Sequence, residues 1–476
     1  SSTCAAMDRR HSLRRRLTLS MPARLVLLSL CVAQAKKSLP VAVEARFKER
    51  ITLKLEAALA SATAHLAWAL GVTSESSEDV FAPHYELDLR TGSTWRAKCE
   101  ADIDTERDSV AHCVIHKLQA LSALCEAPGV AEAHRPGILR LLKQLLVKRE
   151  TVIPGLGVKR SMLPIGNGME VWMSETSVGS GNFDVMVPLH AAATLAVVQC
   201  GSALSEPKFF ETAQAWFASI EKAWPQSAWA QASFHMNSIL WESFVRISTM
   251  IRSDSSFAEE LQDFNRGFEA YLQAKFSENP QSWSFSGAHA TVLTWQREKK
   301  KARRKKLAAS ISEYTRRWRQ LAPALNVTTA YTCGPLQGVA PLLLKPGEEA
   351  AELVSSLLKL AEKDVDLFQL SFAPSGDSDA ASTDPSPAAA RLGEKLLKKL
   401  GGELNGAFVR DEGQWKGEKR RSIRIDDTAQ CVVGITRTLQ LLETLVGVEV
   451  PTPGAEGAAA EEGVAAGGAD EASGAT

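Results

Sequence analysis

Three stretches limit what this chain can fold into: VPLHAAATLAVV (187–198), CGPLQGVAPLLL (333–344) and DDTAQCVVGITRTL (426–439). Each opens on a helix-start signal and then carries Ala, Gly, Thr or Cys where a surface helix would carry Lys and Glu. Pro188 suits the first helical position, and Gly334-Pro335 repeats that signal. In the third stretch Asp427 and Gln430 resemble a capping box, so Asp427 is expected to cap the helix, with Arg424 paired to Asp426. A helix that is polar only at its N-terminal end is enclosed by protein on every side. The rest of the chain therefore has to supply the enclosure.

It does so with amphipathic helices. Apolar residues recur at helical spacing over 41–70, 108–126, 136–149, 187–201, 206–223, 227–252, 256–276, 289–322, 335–345, 347–364, 388–400 and 427–446. EPKFFETAQAWFASIEKAW, with one apolar face, suits an outer layer. Outer helices alternating with enclosed ones describe an all-α fold, an α/α toroid of about twelve helices over residues 36–450. In such a ring the inner helices run the same way, their N-termini gather at one mouth, and a site is expected there.

TTAYTCGPLQGVAPLL and, about seventy residues on, GAFVRDEGQWKGEKRRSIRIDDTAQCVVGI resemble the closing repeats of six-hairpin glycosidase-like α/α-toroid proteins. WAQASFHMNSILWESFVRI (229–247) is similar to an earlier hairpin of such a ring, and the resemblance covers about residues 185–446. It implies a carbohydrate-active protein, a glycoside hydrolase or lyase, acting on a glycan that is neutral or anionic. The alternative is a non-catalytic toroid that binds a glycan or a protein. No catalytic motif of a defined enzyme family is matched.

Sugar chemistry requires a carboxyl pair, or an acid/base group with a charge stabiliser, across a cleft. Asp426, Glu170, Asp184 and Tyr331 are the candidate catalytic groups. Arg424, Arg410, His190, His235 and Trp172 are the candidates for holding substrate, Trp172 by stacking on a sugar face. Helical histidines and tryptophans more often belong to cores. Glu242 has a bland reading too, as the partner of Arg246 one turn on. His112 and His116 share a helical face at metal-ligand spacing, but no HExxH accompanies them, and neither a metal nor a cofactor is expected. P-loop, GxGxxG and GxSxG patterns are absent.

Outside the helices, TWRAKCEADI alternates apolar and polar residues after YELDL, which predicts an accessory β-hairpin near 84–104. Residues 151–185 are Gly-rich but hold Met162, Met169, Trp172, Met173 and Phe183, and read as an irregular lid or binding loop. Residues 375–391 and the acidic Gly/Ala-rich tail 451–476 lack the apolar surface to order themselves.

Residues 1–35 read as a targeting segment: an Arg-rich stretch, a short apolar run and Ala33-Gln34-Ala35, in the form of a signal-peptidase site. Secretion is the expectation, with an organelle transit peptide as the alternative, and no transmembrane segment in the mature chain. Eight scattered cysteines leave room for one or two disulfides if the compartment is oxidising. Lys plus Arg equal Asp plus Glu, 55 each, so no whole-molecule field recruits nucleic acid. One local run, REKKKARRKK (297–306), reads first as a solvated outer face, second as a surface for an anionic polymer or lipid headgroups, and third as a nuclear signal, which conflicts with the N-terminal segment.

Overall fold

The computed structural model describes residues 42–73, 86–89, 110–147, 151–153, 157–159, 162–166, 169–175, 183–185, 187–224, 234–251, 255–278, 285–321, 333–343, 350–371, 402–415 and 418–448. The targeting segment, Tyr331, and the stretches 375–391 and 451–476 lie outside them, as does the helix expected over 388–400.

The class is all-α. Among the described residues the helices are α1 (Ala45–Ala69), α2 (Val110–Glu126), α3 (Val130–Ala133), α4 (Arg135–Val147), α5 (Val187–Ala203), α6 (Lys208–Ala223), α7 (Phe234–Met250), α8 (Ser256–Glu278), α9 (Phe285–Arg297), α10 (Lys301–Leu321), α11 (Gly334–Leu343), α12 (Ala350–Phe368) and α13 (Ile425–Thr444). The single helix expected over 289–322 is two, broken at Glu298–Lys300. There Glu298 accepts the backbone N–H of Lys300, diverting it from the helical ladder.

Burial separates two kinds of helix. In α1 the buried positions Ile51, Leu55, Ala58, Ala62, Leu66 and Ala69 recur every three or four residues and leave the opposite face in water. Helix α6 repeats the pattern with Phe209, Ala213, Phe217 and Ile220. In α5, by contrast, every residue from His190 to Val198 is buried, and α13 is buried nearly all round. Small side chains make this feasible. A Cβ on Gly434 of α13 would stand 2.8 Å from Leu336 Cβ of α11, so only glycine admits that approach.

Six helices pack in a closed cycle: α2 on α5, α5 on α7, α7 on α9, α9 on α11, α11 on α13, and α13 back on α2. Between successive members the chain passes through helices that pack outside, α6 on α5, α8 on α7, α10 on α9 and α12 on α11. Helix α1 lies on α13 and α12. Neighbours in the cycle run the same way, as their ends reveal. Disulfide Cys125–Cys200 joins the last turns of α2 and α5. Arg297, the last residue of α9, donates to Ser248 near the end of α7. Disulfide Cys333–Cys431 joins the starts of α11 and α13. The outer α1 runs against α13, since β1 (Ala42–Glu44) ahead of it pairs with β10 (Val446–Val448) behind α13.

One strand expectation needs correction, and another is described only in part. In segment 151–185, read as an irregular loop, the described residues are strands: β3 (Thr151–Ile153), β4 (Gly157–Lys159), β5 (Met162–Gly166), β6 (Met169–Glu175) and β7 (Phe183–Val185). In the expected hairpin, β2 (Glu86–Asp88) pairs with β9 (Glu418–Arg424), which also pairs with β8 (Val409–Trp415). Its expected mate, TWRAKCEADI, lies outside the described residues.

Candidate functional site

Two three-stranded sheets lead directly into enclosed helices at their N-terminal ends. Sheet β5–β6–β7 precedes α5, and sheet β2–β9–β8 precedes α13. These two helices flank α2 in the cycle, and β6 packs on α2, α5 and α6.

Register groups the nominated residues. Asp184 is paired with Ser174, and positions 170, 172 and 174 alternate onto one side of β6. Glu170, Trp172 and Asp184 therefore occupy one face of the first sheet. In the second, Arg410 is opposite Ser422 and Arg424 is opposite Glu86, so Arg410 and Arg424 share a face with Glu86 and Asp88. His235 lies in the first turn of α7.

Strand β9 runs without a break into α13, and this moves the cap. Arg424 is the N-cap, extended at φ −128°, ψ 144°, with no side-chain cap bond. Asp427 is not the cap; it lies in the first turn beside Asp426. The ladder to β2 holds the backbone extended through Arg424, so the first residue able to turn is Ile425. The two carboxylates still complement the positive end of the helix. Arg424 grips Asp426 as expected, Nε to Oδ1 at 2.9 Å and Nη2 to Oδ2 at 3.0 Å, a two-pronged pair with little exposure.

His190 is placed differently from a mouth ligand. It is completely buried, neither ring nitrogen has a hydrogen-bond partner, and its ring meets Trp216 of outer helix α6 edge-on at 5.3 Å. Burial lowers its pKa to about 3, so the imidazole is neutral.

The cycle also encloses a polar cluster to which all six helices contribute: Glu126 (α2), Gln199 (α5), Glu242 and Arg246 (α7), His289 (α9), Gln337 (α11) and Arg437 (α13). Glu242 Oε1 accepts from Arg437 at 2.8 Å and from His289 Nδ1 at 2.7 Å. Arg437 also donates to the Gln337 carbonyl at 2.7 Å. Arg246, expected to pair with Glu242, instead donates to Glu126 at 2.6 Å and Gln199 at 3.0 Å. Helices α7 and α13 stand opposite each other in the cycle, so the Glu242–Arg437 pair reaches from one side to the other. Both disulfides among the described residues adjoin the cluster in sequence: Cys125 precedes Glu126, Cys200 follows Gln199, and Gln430, whose carbonyl Gln337 binds at 2.9 Å, precedes Cys431.

Burial alone would raise the Glu242 pKa, but Arg437, the His289 hydrogen bond and Arg246 outweigh it and hold the carboxyl well below the usual range. For His289, burial and the Arg437 charge prevail over Glu242 and lower the pKa to about 4. A neutral imidazole beside an ionised carboxylate must donate its Nδ1–H, which leaves the lone pair on Nε2. A carboxylate-oriented imidazole is an arrangement suited to general-base work. The two Glu and two Arg otherwise balance in charge.

Among the described residues, no group of three or more His, Cys, Asp or Glu side chains could hold a metal ion, and no helix is long and apolar enough to cross a membrane. No protein-family model, no curated protein and no solved structure matches this chain.

Proposed function

We propose that the chain is an α/α-toroid protein of the six-hairpin glycosidase-like kind, acting on an anionic glycan at the N-terminal mouth of its inner helices as a hydrolase or lyase. The observation that carries this reading is the closed cycle of six helices, two of which are entered from sheets that carry Glu170, Trp172 and Asp184 on one face and Arg410 and Arg424 on another. In this reading Glu170, Asp184, Tyr331 and Asp426 supply acid, base or charge-stabilising groups. Arg424, Arg410, His235 and Trp172 hold the substrate, and His190, enclosed against Trp216, is left out of that set. The two disulfides support an oxidising compartment, in keeping with secretion.

One observation favours the non-catalytic alternative. Asp426 is buried and already engaged by Arg424, so its carboxylate is less available to a reacting bond than an unpaired one. Incubation of the full chain with polygalacturonate, alginate and a sulfated glycan separates the two. New reducing ends, or the ultraviolet absorbance of an unsaturated uronate, support turnover. Binding with neither product supports the alternative, and neither binding nor product rejects the glycan reading.

A further inference from the structure

The break between α9 and α10 produces a concentration of positive charge. Lys299, Lys300, Lys301, Arg304, Lys305 and Lys306 are all exposed within eight residues. The acids beside them are already engaged: Arg303 holds both Glu298 and Glu269, and Glu298 also accepts the Lys300 N–H. Lys301 and Lys305 are four apart on the helix, a like-charge spacing that weakens it, and the first turn of α10 contains no acid to offset the charge. Packing gives no reason for the five lysines, because none of them is buried. Arg304 lies over the Trp295 ring of α9, 4.9 Å from its centroid, which holds one guanidinium in a fixed orientation at the centre of the patch.

From this we infer that the α9–α10 corner is a docking surface for an acidic polysaccharide, one bearing sulfate or carboxylate groups. The assignment rests in part on the glycan reading above and extends it to a second surface, on the outer layer rather than at the mouth. Charge complementarity selects a polyanion, and the surroundings select among polyanions. A helix that lies within a membrane interface inserts apolar side chains, and the large exposed hydrophobics among the described residues are Leu53 and Val446, neither in the patch. Single-stranded nucleic acid is gripped by stacking on open aromatic faces, whereas Trp295 is covered by Arg304. Two disulfides also favour a compartment where acidic glycans are the common polyanions. Recognition here is by charge density, so it weakens as salt shortens the Debye length from about 10 Å at 0.1 M to about 3 Å at 1 M.

The test uses the full chain with heparin and polygalacturonate as probes. Uncharged dextran, single-stranded DNA and phosphatidylserine vesicles are the comparisons, each titrated at low and high salt. Its companion is the triple variant Lys299→Glu/Lys301→Glu/Lys305→Glu, whose positions are exposed, with the melting temperature checked against wild type. The expected result is saturable, salt-sensitive binding to at least one acidic polysaccharide, lowered tenfold or more in a variant that melts normally. Equal binding by wild type and variant overturns the proposal, as does absence of polysaccharide binding. Tighter binding to DNA or vesicles than to either polysaccharide overturns it in favour of that partner. Binding here without depolymerisation would leave this surface standing and count against turnover at the mouth.

Discussion

Asp364 is buried in α12 with its Oδ2 lacking a hydrogen-bond partner, and burial, opposed only by Lys363, raises its pKa well above the ordinary value. A carboxyl whose folded pKa is raised binds its proton more tightly in the native state, so stability falls as pH climbs through the ordinary carboxylate range toward the folded value. Asp364→Asn removes that penalty while keeping the shape. It should raise the melting temperature at pH 7 and make little difference at pH 3, measured by calorimetry. His289 acts in the opposite direction. Its pKa falls from 6.5 unfolded to about 4 folded, so the unfolded chain binds more protons in that window. His190, lowered to about 3, adds to the same slope. Stability should therefore decline as pH drops below 6.5, and His289→Gln, which can still donate to Glu242, should flatten part of that decline. An unchanged acid arm in denaturant titrations would count against a neutral His289 in the folded state.

At the scale of elements, the two kinds of helix were legible because periodicity and side-chain size are local. The enclosed stretches beginning at 187, 334 and 425 betray themselves by small residues where charges would otherwise be. What escaped was set by distant partners. Strand β9 forces Arg424 to be extended, and nothing near Asp427 reveals a ladder to residues 86–88. The strands of 151–185 are short and Gly-rich, without sustained alternation, so they read as loop. Arg437 and His289 were available as a signal, since a lone Arg among Gly434, Ile435, Thr436 and Thr438 has to be buried with a partner. The identity of that partner, 195 residues away in Glu242, was not. Removing it is a sharp test: Glu242→Ala strands Arg437 and His289 in the interior and should cost about 3–5 kcal/mol. Arg424 is less enclosed, and Asp426→Asn, which keeps one acceptor, should cost only about 1–3 kcal/mol. Equal losses in urea unfolding would contradict the ranking.

For the whole molecule, the disulfides and the polar cluster act on the same joints. Cys125–Cys200 fixes the ends of α2 and α5 where Glu126 and Gln199 receive Arg246, and Cys333–Cys431 fixes the starts of α11 and α13. Replacing either pair with alanines should lower stability by about 2–5 kcal/mol, and reduction of the unfolded chain should prevent recovery of the native melting temperature on refolding. The central claim is that six helices close on one another around a shared polar cluster. A double-mutant cycle across the ring tests it most directly: Glu242→Gln, Arg437→Gln and the double variant, each measured by urea unfolding. If the two residues meet across the ring, the losses should be strongly non-additive, with a coupling on the order of 1–3 kcal/mol. Additivity within about 0.5 kcal/mol would mean that α7 and α13 do not meet there, and would contradict the closed ring.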